Sequence, residues 1–180
     1  MSATIPQSVR AFFAENRISL ALSDATNDDD PLILVNDAFC DLTGYTREEA
    51  LGRSARFLQG EGTRKAHRDH IRGDFAGNRD SFVLIRNYHK SGVAFDNFLS
   101  VFTIFDDDET PVFRIGSHFA MPKNDRAKSF ETHIAILRDG LEKINTSGDI
   151  PGTRQIDTVP LKSMNSQTLL LARLENVRAA

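Results

Sequence analysis

Between residues 81 and 119 the chain repeats with a period of two. Ser81 to Tyr88, Val93 to Phe105 and Pro111 to Phe119 are rich in β-branched and aromatic residues. That composition and period predict strands rather than helices. The connections are His89-Lys90-Ser91-Gly92, with Gly92 supplying the positive φ of a hairpin turn, and the acidic run Asp106 to Thr110. Loops this short join only antiparallel neighbours, so the three strands form a meander. Such a sheet needs other elements to cover it, and they have to come from the segments on either side.

Upstream, Ile18 to Ser23 and Leu32 to Val35 are short strand candidates, separated by the acidic loop Asp24 to Asp30 and Pro31. Asn36-Asp37 offers a cap to a brief helix, Ala38 to Thr43, closed by Gly44. Thr46 and Glu49 have the spacing of a capping box. Gly62 to Phe75 is the clearest helix. Short strands, short helices and a closing meander define an α+β domain ending near Met121-Pro122.

The flanks are helical. Pro6 to Asn16 carries Val9, Phe12 and Phe13 at helical spacing, and a lone helix of that length needs a packing partner. Asn124 to Thr146 has the stripe Phe130, Ile134, Leu137, Leu141, Ile144. After a break at Ser147 to Gly152, Pro160 to Val177 forms a second helical candidate with Leu169, Leu170, Leu171 and Leu174. These faces cap the sheet or meet a second copy of the chain. The expected division is 1–17 N-terminal helical cap, 18–122 ligand-binding domain and 123–180 C-terminal helical extension. With 180 residues, net charge −3 and no basic block, the chain has no electrostatic footprint for nucleic acid or anionic lipid. No apolar run reaches membrane-span length, and the single cysteine, Cys40, fits a reducing, cytoplasmic setting. Thirteen phenylalanines imply a deep apolar interior.

Parity in the meander puts Asn87 on one face with Val83 and Ile85, and Asn97 on one face with Phe95, Leu99 and Val101. A buried amide needs partners, so the two asparagines either pair with each other or meet a ligand edge with mixed donors and acceptors. Arg64, Arg68 and Arg72 share a helix face, which is a solvated basic stripe or an anion site. His67, His70, His89 and His133 have no nucleophile motif beside them; His67 and His70 lack further metal ligands and belong to the surface. Nothing in the pattern amounts to an enzyme's catalytic constellation.

One stretch is more specific. Gly52-Arg53-Ser54-Ala55-Arg56-Phe57-Leu58-Gln59-Gly60 resembles the flavin-binding signature of LOV domains, the blue-light-sensing branch of the PAS family, usually Gly-x-Asn-Cys-Arg-Phe-Leu-Gln-Gly. The resemblance extends over residues 18 to 121 through Asn36-Asp37-Ala38-Phe39, Thr43 to Glu49, Arg86-Asn87-Tyr88, Phe95-Asp96-Asn97 and Ile115-Gly116. It implies a PAS/LOV fold, a five-stranded antiparallel sheet with short helices on one face, in a layout similar to bacterial short LOV proteins. The implied cofactor is FMN, with FAD or riboflavin compatible. By the same resemblance Arg56 and Arg72 clamp the phosphate, Gln59 hydrogen-bonds the flavin and Asn87 and Asn97 read its pyrimidine edge. Leu58, Ile71 and Leu99 pack on the ring, and Ser23 and Asp30 take positions usually held by Thr and Asn. Three positions depart from the pattern. Ala55 replaces the cysteine whose sulfur bonds flavin C4a, Ser54 replaces Asn, and His118 replaces the glutamine that relays changes at N5. Cys40 lies elsewhere and reads as a small core residue. The expectation is a flavin-binding blue-light or redox sensor without cysteine–flavin bonding, dimeric through its terminal helices. The alternatives are a PAS interaction module with a lost or different ligand, or an engineered Cys-to-Ala variant of a LOV photoreceptor.

Overall fold

A computed structural model describes residues 4–121 and 127–178. Helix α1 (Gln7–Glu15) leads into strand β1 (Ser19–Asp24), followed by β2 (Leu32–Val35), α2 (Asp37–Thr43), α3 (Arg47–Ala50), a 3₁₀ turn (Ala55–Leu58) and α4 (Lys65–Ala76). The meander is β3 (Ser81–Tyr88), β4 (Ala94–Phe105) and β5 (Pro111–Ala120); α5 (Ala127–Ser147), α6 (Val159–Ser163) and α7 (Ser166–Arg178) close the chain. All pairings are antiparallel and the strand order is β2-β1-β5-β4-β3. The fold is therefore the α+β architecture expected, with β5 brought to the centre by pairing with β1.

Local chemistry sets the short helices. The Asn36 side-chain oxygen accepts from the backbone N–H of Phe39, which caps α2, and also from that of Leu20. Its amide donates to the carbonyls of Ile18 and Asn16, so one buried asparagine joins the start of α2 to β1 and to the end of α1. Thr46 and Glu49 form the capping box of α3. Gly44 takes φ 75° at the end of α2, where a side chain would be strained.

Helix α4 starts at Lys65 rather than Gly62. Residues 60–63 are tied to β3 instead: Gly62 N–H donates to the Tyr88 hydroxyl and Thr63 donates to the Arg86 carbonyl. The second C-terminal candidate, Pro160 to Val177, is two helices. Asn165 interrupts it, since its side-chain oxygen accepts from Gln167 N–H and its own N–H donates to the Thr168 hydroxyl. That is a fresh N-cap placed inside an otherwise continuous apolar pattern. Residues Asn124 to Arg126 of the first C-terminal candidate lie outside the described residues.

The two faces of the sheet have different covers. One carries Leu20, Leu22, Phe98, Phe102 and Ile115 and packs against Phe12 and Phe13 of α1 and Phe130, Ile134 and Leu137 of α5. Helix α1 lies so close to α5 that a Cβ at Gly140 would fall 2.0 Å from the Phe12 ring. The phenylalanine face of α1 and the stripe of α5 thus cover the sheet. In α7 only Leu169 of the four leucines is buried; Leu170, Leu171 and Leu174 are 57%, 60% and 45% exposed. The other face of the sheet meets a smaller cluster, Ala21, Leu32, Val35, Phe39, Ala50 and Leu58. Among the described residues no helix is long and apolar enough to cross a membrane.

His133 corrects the expectation that it has no nucleophilic side chain beside it. It is buried on α5, its Nε2 lies 2.7 Å from the Ser117 hydroxyl of β5, and its ring meets Phe119 edge to face. His67 is half-buried rather than a surface residue. Burial lowers the His133 pKa to about 4, and burial together with the nearby His133 does the same to His118. Both rings are therefore neutral in the fold at pH 7, and the unfolded chain takes up protons first as pH falls. Their contribution is present above about pH 6.5 and is lost as pH drops through about 4, up to about 3 kcal/mol each. Asp80 works the other way. Burial raises its carboxyl to about 6 although Thr103 N–H donates to it, so stability falls as pH rises from about 4 to 6. Urea denaturation from pH 4 to 8 is expected to show a net loss toward acid. Asp80→Asn should gain up to about 3 kcal/mol at pH 7 and leave pH 4 unchanged, steepening that loss. Ser117→Ala should cost about 1–3 kcal/mol, because it strands the buried imidazole.

Candidate functional site

The face of the sheet away from α1 and α5 forms the floor of a cavity of about 530 Å³, a size that suits a small-molecule ligand. Strand parity builds this floor. On β5 the alternating residues Arg114, Gly116 and His118 face it, with Ile85 and Asn87 of β3, Leu99 and Val101 of β4, and Ala21 and Ser23 of β1 beside them. The walls come from the 3₁₀ turn and α4: Ala55, Arg56, Leu58 and Gln59 on one side, and Arg68, Ile71, Arg72 and Phe75 on the other. The cavity combines apolar faces with amides and an imidazole at one end of the floor and arginines on the walls.

The amide cluster is specific. Asn97 is fully buried and its amide donates to the Asn87 side-chain oxygen at 2.9 Å, with His118 Nδ1 at 3.0 Å. Mutual pairing is therefore real, but incomplete. The Asn97 side-chain oxygen has no hydrogen-bond partner among the described residues. An orphaned buried acceptor costs on the order of 1–3 kcal/mol, which a ligand N–H would recover. Asn97 shares a face with its register partner Ile85 but is not among the residues that line the cavity; its bonded neighbours Asn87 and His118 are.

The other residues singled out from the sequence line the cavity: Ser23, Asp30, Ala55, Arg56, Leu58, Gln59, Ile71, Arg72, Asn87, Leu99 and His118. The guanidinium of Arg56 lies 3.5 Å from Asp29 and that of Arg72 lies 3.3 Å from Asp69, all exposed. Of the arginine stripe, Arg68 and Arg72 reach the cavity, whereas Arg64 precedes α4 and does not. Cys40 is half-buried against the smaller apolar cluster and is absent from the cavity walls. Burial raises its thiol pKa, so it is a poor nucleophile there.

Sequence reasoning missed Arg114 and Phe75. Arg114 is buried and paired with Asp30, and its guanidinium stacks 4.2 Å from the Phe75 ring. Its position two residues before Gly116 and four before His118 was the available signal, since parity alone puts it on their face. No group of three His, Cys, Asp or Glu side chains able to hold a metal ion occurs among the described residues.

Comparison with known proteins fits this architecture. A profile of the PAS domain family matches residues 19–119. A blue-light-activated histidine kinase of Rhizobium johnstonii is 38% identical over 119 residues, 66% of this chain and 34% of that protein. A blue-light photoreceptor of Listeria monocytogenes is 39% identical over 92 residues, 51% of this chain and 36% of that protein. The chain thus spans about a third of the length of these relatives. The crystal structure of a Rhodobacter sphaeroides LOV protein superposes with TM-score 0.74 at 28% identity, covering 96% of this chain and 94% of that one. The LOV domain of the Erythrobacter litoralis EL346 blue-light-activated histidine kinase is 35% identical with TM-score 0.56, covering 59% of this chain and 97% of that domain. Sheet order, cavity and sequence together place the chain in the PAS domain family, within its LOV branch.

Proposed function

We propose that the protein is a flavin-binding sensor of blue light or redox state that works without a cysteine–flavin bond. The observation that carries this reading is the cavity itself. Beside its lining lies an unsatisfied buried acceptor on Asn97, arginines stand on its walls, and it has a methyl group, Ala55, where a thiol would be needed. The chain's one cysteine lies outside the cavity walls. A bound flavin supplies blue-light absorption and reversible acceptance of electrons from a solution reductant. Asn87 and Asn97 hold the pyrimidine edge, Leu58, Ile71 and Leu99 pack on the ring, and Gln59 donates to it. Arg56 and Arg72 hold a phosphate, which favours FMN.

His118 takes the sensing role. Its ring is neutral at pH 7. Accepting the Asn97 amide at Nδ1 leaves its proton on Nε2, on the Gly116 side. A cavity partner that switches from acceptor to donor can be met only if the ring moves its proton to Nδ1. That move deprives the Asn97 amide of an acceptor. The next residue, Ser117, faces the other side of the sheet and touches His133 of α5. A change at His118 thereby biases how α5 packs, as a shift between two populations of helix packing. The same reading includes homodimerisation through the terminal helices.

A second reading, a PAS interaction module, is favoured by one feature, the exposed Leu170, Leu171 and Leu174 of α7. Spectroscopy separates the two. Purified protein is expected to show a structured blue absorption band with green fluorescence, and blue light with a mild reductant should bleach it without the near-ultraviolet band of a thiol-bonded flavin. A colourless protein that takes up no added FMN would leave the interaction module standing.

Two variant experiments test the assigned roles. Arg56→Ala and Arg72→Ala should each weaken FMN binding about tenfold to a hundredfold while leaving riboflavin binding unchanged. Equal losses for both flavins would reject the phosphate clamp. His118→Leu should shift the flavin band and change photoreduction between pH 5 and 8, and a variant indistinguishable from wild type would remove His118 from the signalling path.

A further inference from the structure

The part-buried ion pair Asp30–Arg114 is not used in the flavin contacts proposed above, although the resemblance puts Asp30 at a position usually held by Asn. Its partners are 84 residues apart in sequence and both line the cavity. Arg114 stands on β5 opposite Ser23 and Thr103, with its side chain 9% exposed, and Asp30 is 18% exposed. Asp30 sits in the loop after β1 at φ 45°, a backbone that costs energy for a non-glycine residue. Pro31, its neighbour, bridges to Ser54, so Asp30 is held beside the turn that presents Ala55. Phe75 of α4 covers the guanidinium, and the Arg114 Nε–H is buried without an acceptor among the described residues.

Buried ion pairs of this kind rarely raise stability, because desolvating two charges offsets their attraction. Burial pushes the Asp30 carboxyl up and the Arg114 guanidinium down, with each charge partly restoring the other. A strained aspartate and an incompletely bonded arginine are a poor structural strut. Their shared location in a low-dielectric wall makes them an effective source of electric field inside the cavity.

We propose that Asp30–Arg114 is a charge-balancing pair that sets how readily the bound flavin accepts an electron. The inference rests on the flavin reading. Full reduction near pH 7 takes up two electrons and one proton, so it adds one negative charge net to the cavity, and the reductant is oxidised by the same two electrons. The carboxylate opposes that charge, the guanidinium favours it, and the intact pair nearly cancels. Removing one partner exposes the other's field. Asp30 fits this role because an asparagine there would be isosteric and would still accept from Arg114, leaving the cation unbalanced.

The test is a reductive titration of FMN-loaded protein with dithionite and a reference dye, read by absorbance. Asp30→Asn is expected to raise the reduced-to-oxidised ratio at a fixed dye poise about tenfold, on the order expected for a unit charge roughly 10 Å away at an effective dielectric of about 20. Arg114→Gln should lower that ratio by a similar factor, and the double variant should return close to wild type. Urea denaturation of the flavin-free forms supplies a readout independent of the cofactor: each single change should lower the midpoint more than the double change does. Should Arg114→Gln fail to fold, Asp30→Asn carries the test alone, with Asp30→Glu expected to keep the wild-type ratio. Singles that shift in the same direction, or an Asp30→Asn ratio within twofold of wild type, overturn the inference while leaving flavin binding intact. Failure of every form to bind FMN overturns the flavin reading instead, and is visible before any titration.

Discussion

Strand β5 is hydrogen-bonded along both edges, to β1 and to β4, and this double pairing fixes which way each of its side chains points. Arg114, Gly116 and His118 face the cavity, while Ile115, Ser117 and Phe119 face the terminal helices. Slipping the register by one residue would exchange these sets and place charges in the apolar layer. Everything else in the molecule is placed relative to that strand. The 3₁₀ turn and α4 roof one side, and α1 and α5 cover the other.

The consequence is a short physical path between a site and a helix. His118 and His133 lie on opposite sides of one strand, and the charge of one disfavours charge on the other. Between α5 and the sheet most contacts are apolar, among them the edge-to-face packing of Phe130 on Phe98 and Phe119. Such packing tolerates small rotations of a helix. The Ser117–His133 hydrogen bond is directional and does not, so it defines one seating of α5. A polar contact in an apolar interface costs stability when broken, and this is the contact on which the proposed shift in helix packing would act.

Much of this was legible from sequence. The three meander strands were readable from their period and turn residues to within a residue or two at each end, and the capping box at Thr46 and Glu49 from its spacing alone. Local signals worked because they depend on a few adjacent residues. They failed where a tertiary bond competed with a local one. Helix α4 starts late because Thr63 and Gly62 bond to β3, and the last helical pattern breaks because Asn165 caps a new helix. In the site, the residues carried by the nine-residue signature and by strand parity lie together around one cavity. Arg114 was overlooked because its partner lies in a distant loop, although strand parity alone placed it on the face of Gly116 and His118.

The sequence by itself determined the elements, the alternation of the strands and the absence of a thiol at position 55, since these depend on residue identity and nearest neighbours. Tertiary structure decided the rest. Pairing of β5 with β1 closed the cavity, packing of α5 brought His133 onto Ser117, and folding of the loop after β1 set Asp30 against Arg114. Those outcomes depend on contacts between residues far apart in the chain, and the energy of such contacts exists only once the chain has brought them together.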